Sequence, residues 1–165
     1  MSGPFASDLL TGRTALVTGG GTGLGLAIAE GLSAAGADVV IAARQRERLE
    51  AAAEQLRSRT GGSVAVDVVD IRNRETIEAL AGRHQIDILV NNAGGQFPQK
   101  ARDYSPNGWG SVIDLNLTGT WAMTQVFGNQ MLAADGGAIV QIVAIVGRGI
   151  PGIAHSAAAR AGVVE

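Results

Sequence analysis

The sequence has no cysteine and only two histidines among its 165 residues. A disulfide framework and a thiolate metal site are therefore excluded, and two histidines are few for a metal centre. Charged residues make up 17% of the chain, and the formal net charge is −2. This balance lacks the basic surface that nucleic-acid binding requires. We therefore expect neither a bound metal nor a nucleic-acid partner.

Long apolar runs are also lacking, and the N-terminus does not have the pattern of a signal peptide. No stretch approaches the length of a membrane span, and residues 1–12 lack a charged region followed by an apolar run. Apolar residues nevertheless form 46% of the chain, a proportion that suits the buried sheet of an α/β domain. We expect one soluble, cytoplasmic domain over residues 1–165, without a membrane partner.

Short apolar runs alternate with helical patterns along the chain. Strands are predicted at residues 13–18, 39–42, 64–66, 86–90 and 138–143. Helices are predicted at 23–35, 46–59, 73–81 and 108–132, and another begins at 155. This alternation predicts a parallel sheet with right-handed crossovers. The predicted fold class is α/β, a Rossmann-type doubly wound parallel sheet with five strands in the order 3-2-1-4-5, incomplete against the usual six.

A glycine-rich stretch joins the first predicted strand to the first predicted helix. Glycines tolerate positive φ and leave no Cβ between backbone and ligand. The helix that follows presents unpaired N–H groups to a pyrophosphate. The alternative is a glycine turn without a ligand, but the context of strand, turn and helix favours a dinucleotide. The predicted coenzyme contacts here are Thr18, Gly19, Gly21, Thr22, Gly23, Leu24 and Gly25.

The end of the second predicted strand bears on the choice of coenzyme. An enzyme for NAD places an acidic residue there to bind the ribose 2′-hydroxyl. This sequence has Ala43 followed by Arg44, and a guanidinium pairs with a 2′-phosphate. Arg48, one helical turn further, either adds a second cation or belongs to a solvated face. The sequence therefore predicts NADP (NADPH) in preference to NAD.

With the glycine turn, the motif Asn91-Asn92-Ala93-Gly94 resembles the two signatures of the short-chain dehydrogenase/reductase family. The resemblance covers nearly the whole chain. It implies that Asn91, Asn92, Ala93 and Gly94 line the coenzyme and that Asp67 and Val68 hold its adenine. It also implies that Asn116 is the family's active-site asparagine. All these residues follow predicted strands or begin helices, so we expect them along the carboxyl edge of the sheet.

The catalytic positions depart from the family pattern. Family members commonly use a serine after the fifth strand and a Tyr-x-x-x-Lys on the next helix. The same positions hold Ala144, Ser156 and Arg160 here, aligned through Gly147 and the helix. A serine hydroxyl has no useful acidity near neutral pH. The proton donor for ordinary carbonyl reduction is therefore missing.

Four stretches together look like the peroxisomal trans-2-enoyl-CoA reductases and, more loosely, the 2,4-dienoyl-CoA reductases. They are Asn91–Phe97, Asn107–Trp109, Asn116–Thr120 and His155–Val163. That resemblance implies hydride transfer to an unsaturated thioester, with charge developing on an enolate oxygen. Hydrogen-bond donors then matter most, and Ser156, Asn116 and His155 are the candidates. Arg160 would hold the nicotinamide ribose. His155 either donates the α-carbon proton or only bonds backbone at the helix start, and Tyr104 is expected to pack in its loop.

Three hypotheses remain open from the sequence. The protein is an NADPH-dependent reductase of an enoyl-type acyl thioester, a carbonyl reductase for 3-oxoacyl or other ketone substrates, or a non-catalytic dinucleotide-binding protein. The resemblance further implies strands beyond Glu165 and a full-length homo-oligomer, either dimer or tetramer. Because the fifth strand would leave an apolar edge, the 165-residue chain alone is expected to be poorly soluble or molten, and inactive.

Overall fold

The computed structural model describes residues 6–144 and 151–165, and five parallel strands form its centre. The strands are β1 (Thr14–Thr18), β2 (Asp38–Ala43), β3 (Val64–Val68), β4 (Ile88–Asn91) and β5 (Ala138–Gln141). Their order is β3-β2-β1-β4-β5, so the predicted order is confirmed. In the central strand β1, Leu16 lies opposite Val40 on one side and Leu89 on the other.

Helices connect the strands and cover both faces of the sheet. They are α1 (Gly23–Ala34), α2 (Arg46–Thr60), α3 (Arg74–Arg83), α4 (Pro106–Ile113), α5 (Gly119–Leu132) and α6 (Ala154–Val164). Local signals fix several ends. Asn73 caps α3 by accepting the N–H of Glu75 at 2.9 Å, and Gly61 ends α2 in the left-handed conformation with φ 69°.

Alternation along β1 divides the core into two layers, because successive strand side chains face opposite sides. Leu16 packs with α3 and α5 residues that include Ile77 and Phe127. Its neighbour Val17 packs with α2 residues that include Leu49. These side chains are fully buried. The sheet is therefore covered on both faces, which is why its strands read as continuous apolar runs.

The long helix predicted at residues 108–132 differs from the prediction in two ways. It begins earlier, at Pro106, because Ser105 accepts the N–H of Gly108 at 3.0 Å and proline suits the first helical position. It is also interrupted by a π-helical segment, Asp114–Thr118, between α4 and α5. A 3₁₀ turn, Ala101–Asp103, lies in the loop that precedes it.

Three strand boundaries also differ by two residues. β3 ends at Val68 rather than residue 66, β4 starts at Ile88 rather than residue 86, and β5 ends at Gln141 rather than 143. In the described part of the chain, no helix is long and apolar enough to cross a membrane. The same residues contain no cluster of three or more acidic or histidine side chains suited to a metal ion.

Candidate active site

The turn between β1 and α1 depends on two glycines with left-handed backbone conformations. Gly19 has φ 67° and Gly23 has φ 54°, values that strain a residue with a Cβ. An added Cβ on Gly23 would meet nothing within 4 Å among the described atoms. Thr22, the N-cap residue of α1, makes no side-chain capping bond, and the first turn contains no acidic residue. The N–H groups at this helix start are thus left for an anion.

Thr18 joins the ends of β1 and β4. Its Oγ1 accepts the backbone N–H groups of Asn92 and Ala93, each at 3.0 Å, and donates to the Val90 carbonyl at 3.3 Å. The Asn92 side chain returns a bond from Nδ2 to the Thr18 carbonyl at 3.0 Å. A Cβ on Gly25 would lie 2.5 Å from that Nδ2. Thr18, Asn92 and Gly25 therefore frame the coenzyme site by packing and bonding to each other.

Two adjoining hollows run along the carboxyl edge of the sheet, and they share Gly19, Ala43 and Arg44. The first, of about 180 Å³, is lined by Gly19, Gly21, Thr22, Ala43, Arg44, Gln45, Arg48 and Leu49. The second, of about 150 Å³, is lined by Gly19, Ala42, Ala43, Arg44, Val69, Asp70, Ile71, Ala93, Gly94 and Leu115. We call the two together the coenzyme groove, because the predicted coenzyme contacts Gly19, Gly21 and Thr22 lie there. Leu24 lies beside it at the start of α1, largely exposed.

Asp67 is not part of this groove. Its carboxylate faces α3, where it accepts from Nε and Nη2 of Arg83 at 2.9 Å each and lies 3.0 Å from Nε2 of His84. Burial raises the pKa of Asp67, but the bonds from Arg83 and His84 outweigh it and hold that pKa below its usual range. Neither Asp67 nor Val68, which pairs with Ala43 in the sheet, lines either of the two hollows.

Asp70 and Ile71, a few residues further along the chain, do line the groove. A hydrogen bond from Arg72 lowers the pKa of Asp70, against the opposing effect of burial. Asp70 was not among the predicted contacts, because β3 was predicted to end at residue 66. β3 in fact continues to Val68. The loop after it, which lines the groove, therefore contains Asp70 rather than Asp67.

Asn91, the last residue of β4, also faces away from the groove. It is buried, and its Nδ2 donates to Oγ1 of Thr124 on α5 at 3.1 Å. The contact is part of the interface between sheet and helix. Of the Asn-Asn-Ala-Gly motif, only Ala93 and Gly94 line the groove.

Asn116 lies in the π-helical segment and is completely buried. Its Nδ2 donates to the carbonyls of Gly95 at 2.7 Å and Val112 at 2.8 Å. Its Oδ1 accepts the N–H of Gly95 at 3.1 Å. Both amide hydrogens are engaged, so in this geometry Asn116 is not a free donor to an oxyanion. It holds the backbone at Gly95 in place.

Arg160, in the second half of α6, reaches the wall of the groove. Its Nη1 donates to the Ile142 carbonyl at 2.8 Å, and Nη2 lies where a Cβ on Gly94 would be. Its Nε is buried and has no partner among the described residues. Burial lowers the pKa of Arg160, yet a guanidinium keeps its charge at neutral pH.

Ser156 and His155 lie one turn before Arg160, and both are buried. The N–H of Ser156 donates to Nδ1 of His155 at 2.8 Å. The hydroxyl of Tyr104 approaches the same Nδ1 at 3.5 Å, so Tyr104 does more than pack within its own loop. Ala144, at the usual serine position, has no hydroxyl to offer, and Gly147 lies outside the described residues.

A family model described as short chain dehydrogenase matches residues 13–165. Together with the strand order and the glycine turn, this match shows that the chain belongs to the short-chain dehydrogenase family, whose members bind NAD(P). The chain is similar to the solved structure of the citronellol catabolism dehydrogenase AtuB from Pseudomonas aeruginosa PAO1, with a TM-score of 0.90 and 38% sequence identity. It covers 99% of this chain and 69% of that one.

Two curated relatives differ in the reaction that their names give. A probable 2,4-dienoyl-CoA reductase of Caenorhabditis elegans is 42% identical over 163 residues, which are 93% of this chain and 52% of that protein. A 3-oxoacyl-acyl-carrier-protein reductase, FabG, of Chlamydia trachomatis is 38% identical over 164 residues, 96% of this chain and 66% of that protein. The chain thus spans between half and two thirds of the length of these relatives.

Proposed function

We propose that this protein is an NADPH-dependent oxidoreductase that reduces the C=C bond of an enoyl thioester of the enoyl-CoA type. The observation that carries the proposal is the position of Arg160. Its half-buried guanidinium lies against Gly94 at the coenzyme groove. Within residues 6–144 and 151–165, burial alone shifts its pKa and no carboxylate pairs with it. A cation without a counter-ion in a partly desolvated site stabilises an anion.

The two candidate reactions make different demands on such a site. Reduction of an enoyl thioester places negative charge on the thioester oxygen as an enolate, so a fixed cation and hydrogen-bond donors are what it needs. Reduction of a ketone needs a proton at the alkoxide. Arg160 does not release its proton, and Ser156 stands where a phenol would. The charge and donors of this chain therefore suit the enolate better.

The groove fits a dinucleotide, which would supply the hydride when bound. The open Gly23 and the uncapped start of α1 would hold the pyrophosphate with the backbone at Gly21 and Thr22. Asp70 and Ile71 would contact the adenine end. In our proposal Arg160 binds the nicotinamide ribose and the developing enolate, and Ser156 contributes a hydroxyl donor.

The preference for NADPH rests on Arg44, which is exposed and lines both halves of the groove. We expect Arg44→Ser to weaken NADPH binding by about 10- to 150-fold, the value of a charged hydrogen bond. NADH binding should change little, because NADH has no 2′-phosphate. Fluorescence titration with both coenzymes measures this. Arg46→Ser is the matched control, since Arg46 pairs with Glu50 on α2. Equal losses for both coenzymes, or tighter binding of NADH by the unsubstituted protein, would contradict the preference.

A second candidate is carbonyl reduction, and the FabG relative supports it because its name describes a 3-oxoacyl reductase. A third is coenzyme binding without turnover. NADPH oxidation distinguishes the three when an enoyl-CoA and a 3-oxoacyl-CoA are compared at equal concentration. Turnover of the enoyl-CoA alone supports the first proposal, and turnover of the ketone alone rejects it. Coenzyme binding without either reaction supports the third.

We also propose a cytoplasmic location and a homo-oligomeric full-length protein. The lack of an apolar helix of spanning length among the described residues is compatible with this location. Fractionation of cells and light scattering of the purified protein would test the two statements separately.

A further inference from the structure

Two aromatic side chains, Phe97 and Tyr104, pack against His155 at the start of α6. His155 has no exposed surface. The Phe97 ring stands edge-on to it with centroids 4.7 Å apart, and the Tyr104 ring lies 4.4 Å away at an angle of 32°. A phenylalanine could make these apolar contacts equally well. We therefore look to the hydrogen bonds of the imidazole for the role of a histidine at this position.

The imidazole bonds through Nδ1. This nitrogen accepts the N–H of Ser156 at 2.8 Å, so it carries no hydrogen. In the neutral ring the hydrogen is therefore on Nε2, which is buried and has no partner among the described residues. The hydroxyl of Tyr104 donates to the Gly152 carbonyl at 3.0 Å and lies 3.5 Å from Nδ1. Tyr104 thus closes the Nδ1 side of the ring.

These contacts connect two parts of the active site that are distant in sequence. The backbone N–H of Gln99 donates to the Gly152 carbonyl at 2.7 Å, so that carbonyl accepts both Gln99 and Tyr104. The segment from Phe97 to Tyr104 begins two residues after Gly95, which forms hydrogen bonds with Asn116. On the other side, α6 carries Ser156 and Arg160. We call His155, Tyr104 and the Gly152 carbonyl the clasp.

We propose that His155 and Tyr104 are positioning residues that act through the clasp, with Nδ1 of His155 fixing Ser156, and with it Arg160, against the Gly94 wall. This inference rests on the proposed function. A displacement of about 1 Å at a reacting centre can cost about 100-fold in rate. Loss of the clasp should therefore lower kcat by a larger factor than the affinity for NADPH, whose phosphates would bind at the other end of the groove.

Two substitutions of His155 distinguish the role of Nδ1 from that of Nε2. His155→Asn keeps an acceptor near the position of Nδ1, whereas His155→Gln places its amide near the position of Nε2. We expect His155→Asn to keep kcat within about threefold of the unsubstituted protein, and His155→Gln to lose about tenfold or more. Tyr104→Phe should lose an intermediate amount. His84→Asn and His84→Gln are the controls, because His84 lies in the Asp67 cluster outside the groove, and neither should alter kcat.

A measurement that is independent of turnover keeps the inference testable if the proposed reaction fails. Hydrogen exchange of the Ser156 amide should be slow in the unsubstituted protein and in His155→Asn, and faster in His155→Gln. Nitrogen-15 spectra of the histidines should show Nδ1 of His155 without a hydrogen. Retained kcat in His155→Gln with loss in His155→Asn would overturn the proposal and indicate a direct role for Nε2–H. Unprotected Ser156 or a hydrogen on Nδ1 would overturn it whatever the substrate.

Discussion

Because Gly94 has no side chain, the Arg160 guanidinium can lie against its backbone. An added Cβ on Gly94 would coincide with the Arg160 guanidinium and lie 2.7 Å from Oδ1 of Asn116. We predict that Gly94→Ala displaces Arg160 from the groove wall and lowers kcat/KM by about tenfold or more, since the cation no longer faces the reacting atoms. Steady-state NADPH oxidation measures the change.

The control for this prediction is Gly110→Ala in α4. An added Cβ at Gly110 meets no described atom within 4 Å, and alanine is favoured over glycine in a helix by up to about 1 kcal/mol. Activity should therefore be unchanged and stability equal or higher. Equal kcat/KM in Gly94→Ala and Gly110→Ala would show that Arg160 has no role at the groove.

Asp67 forms a cluster with Arg83 and His84 and is not among the residues that line the groove. The hydrogen bonds from Arg83 and His84 lower its pKa against the effect of burial. In the unfolded chain its pKa is about 3.9, so the unfolded state takes up a proton first as the pH falls. The stabilisation is therefore complete above about pH 5 and is lost as the pH falls through the lowered folded-state value.

We predict that Asp67→Asn destabilises the fold by about 1.5–3 kcal/mol at pH 7, the usual value of hydrogen bonds to a charged group. The difference from the unsubstituted protein should shrink toward pH 3. Urea unfolding at both values of pH measures it. Asp103→Asn is the control, because Asp103 pairs with Arg102 at the surface and such pairs contribute less than about 1 kcal/mol. A difference that does not depend on pH would contradict the assignment.

At the scale of elements, the strands and most helices could be predicted from local patterns. Apolar runs and the alternation of strands with helices predicted all five strands, and Asn73 marked the start of α3 as observed. The π-helical segment Asp114–Thr118 could not be predicted. It depends on Asn116 bonding to Gly95, which is 21 positions away, and no local spacing encodes that contact.

The same limit applies to the site residues. The glycine turn was predictable because its backbone conformations require glycine locally. The placement of Asp70 rather than Asp67 in the groove depends on where β3 ends, and that end depends on pairing with β2. Likewise, tertiary packing determines that both amide hydrogens of Asn116 are donated to backbone carbonyls. Candidate site residues could be chosen from the sequence by residue type, but their hydrogen-bond partners could be identified only from the fold.

We predict that Asn116→Ala lowers stability by about 1–3 kcal/mol, because the buried C=O of Val112 and the backbone of Gly95 lose their hydrogen-bond partner. Turnover should fall more than NADPH affinity, since the backbone at Gly95 borders Gly94 on the groove wall. Thermal unfolding and coenzyme titration measure the two effects. Ser111→Ala, at an exposed position of α4, should change stability by less than about 0.5 kcal/mol. Unchanged turnover in a folded Asn116→Ala protein would contradict the role given to Asn116.

At the scale of the whole molecule, the sheet is unevenly covered. β1 is almost completely buried, whereas residues of β5 alternate between exposed and half-buried. Among the described strands, β5 pairs with β4 alone. Val140 on this strand is 46% exposed. An apolar strand edge of this kind promotes pairing between molecules.

We therefore predict that the 165-residue chain is prone to self-association through β5 and that Val140→Lys raises its solubility, since a charged edge residue opposes strand pairing. Coenzyme binding should be kept, because Val140 does not line the groove. Sedimentation of the purified chain over a range of concentrations measures the effect. Val164→Lys adds the same charge at an exposed position of α6, away from the sheet. If both substitutions improve solubility equally, net charge rather than the β5 edge controls association.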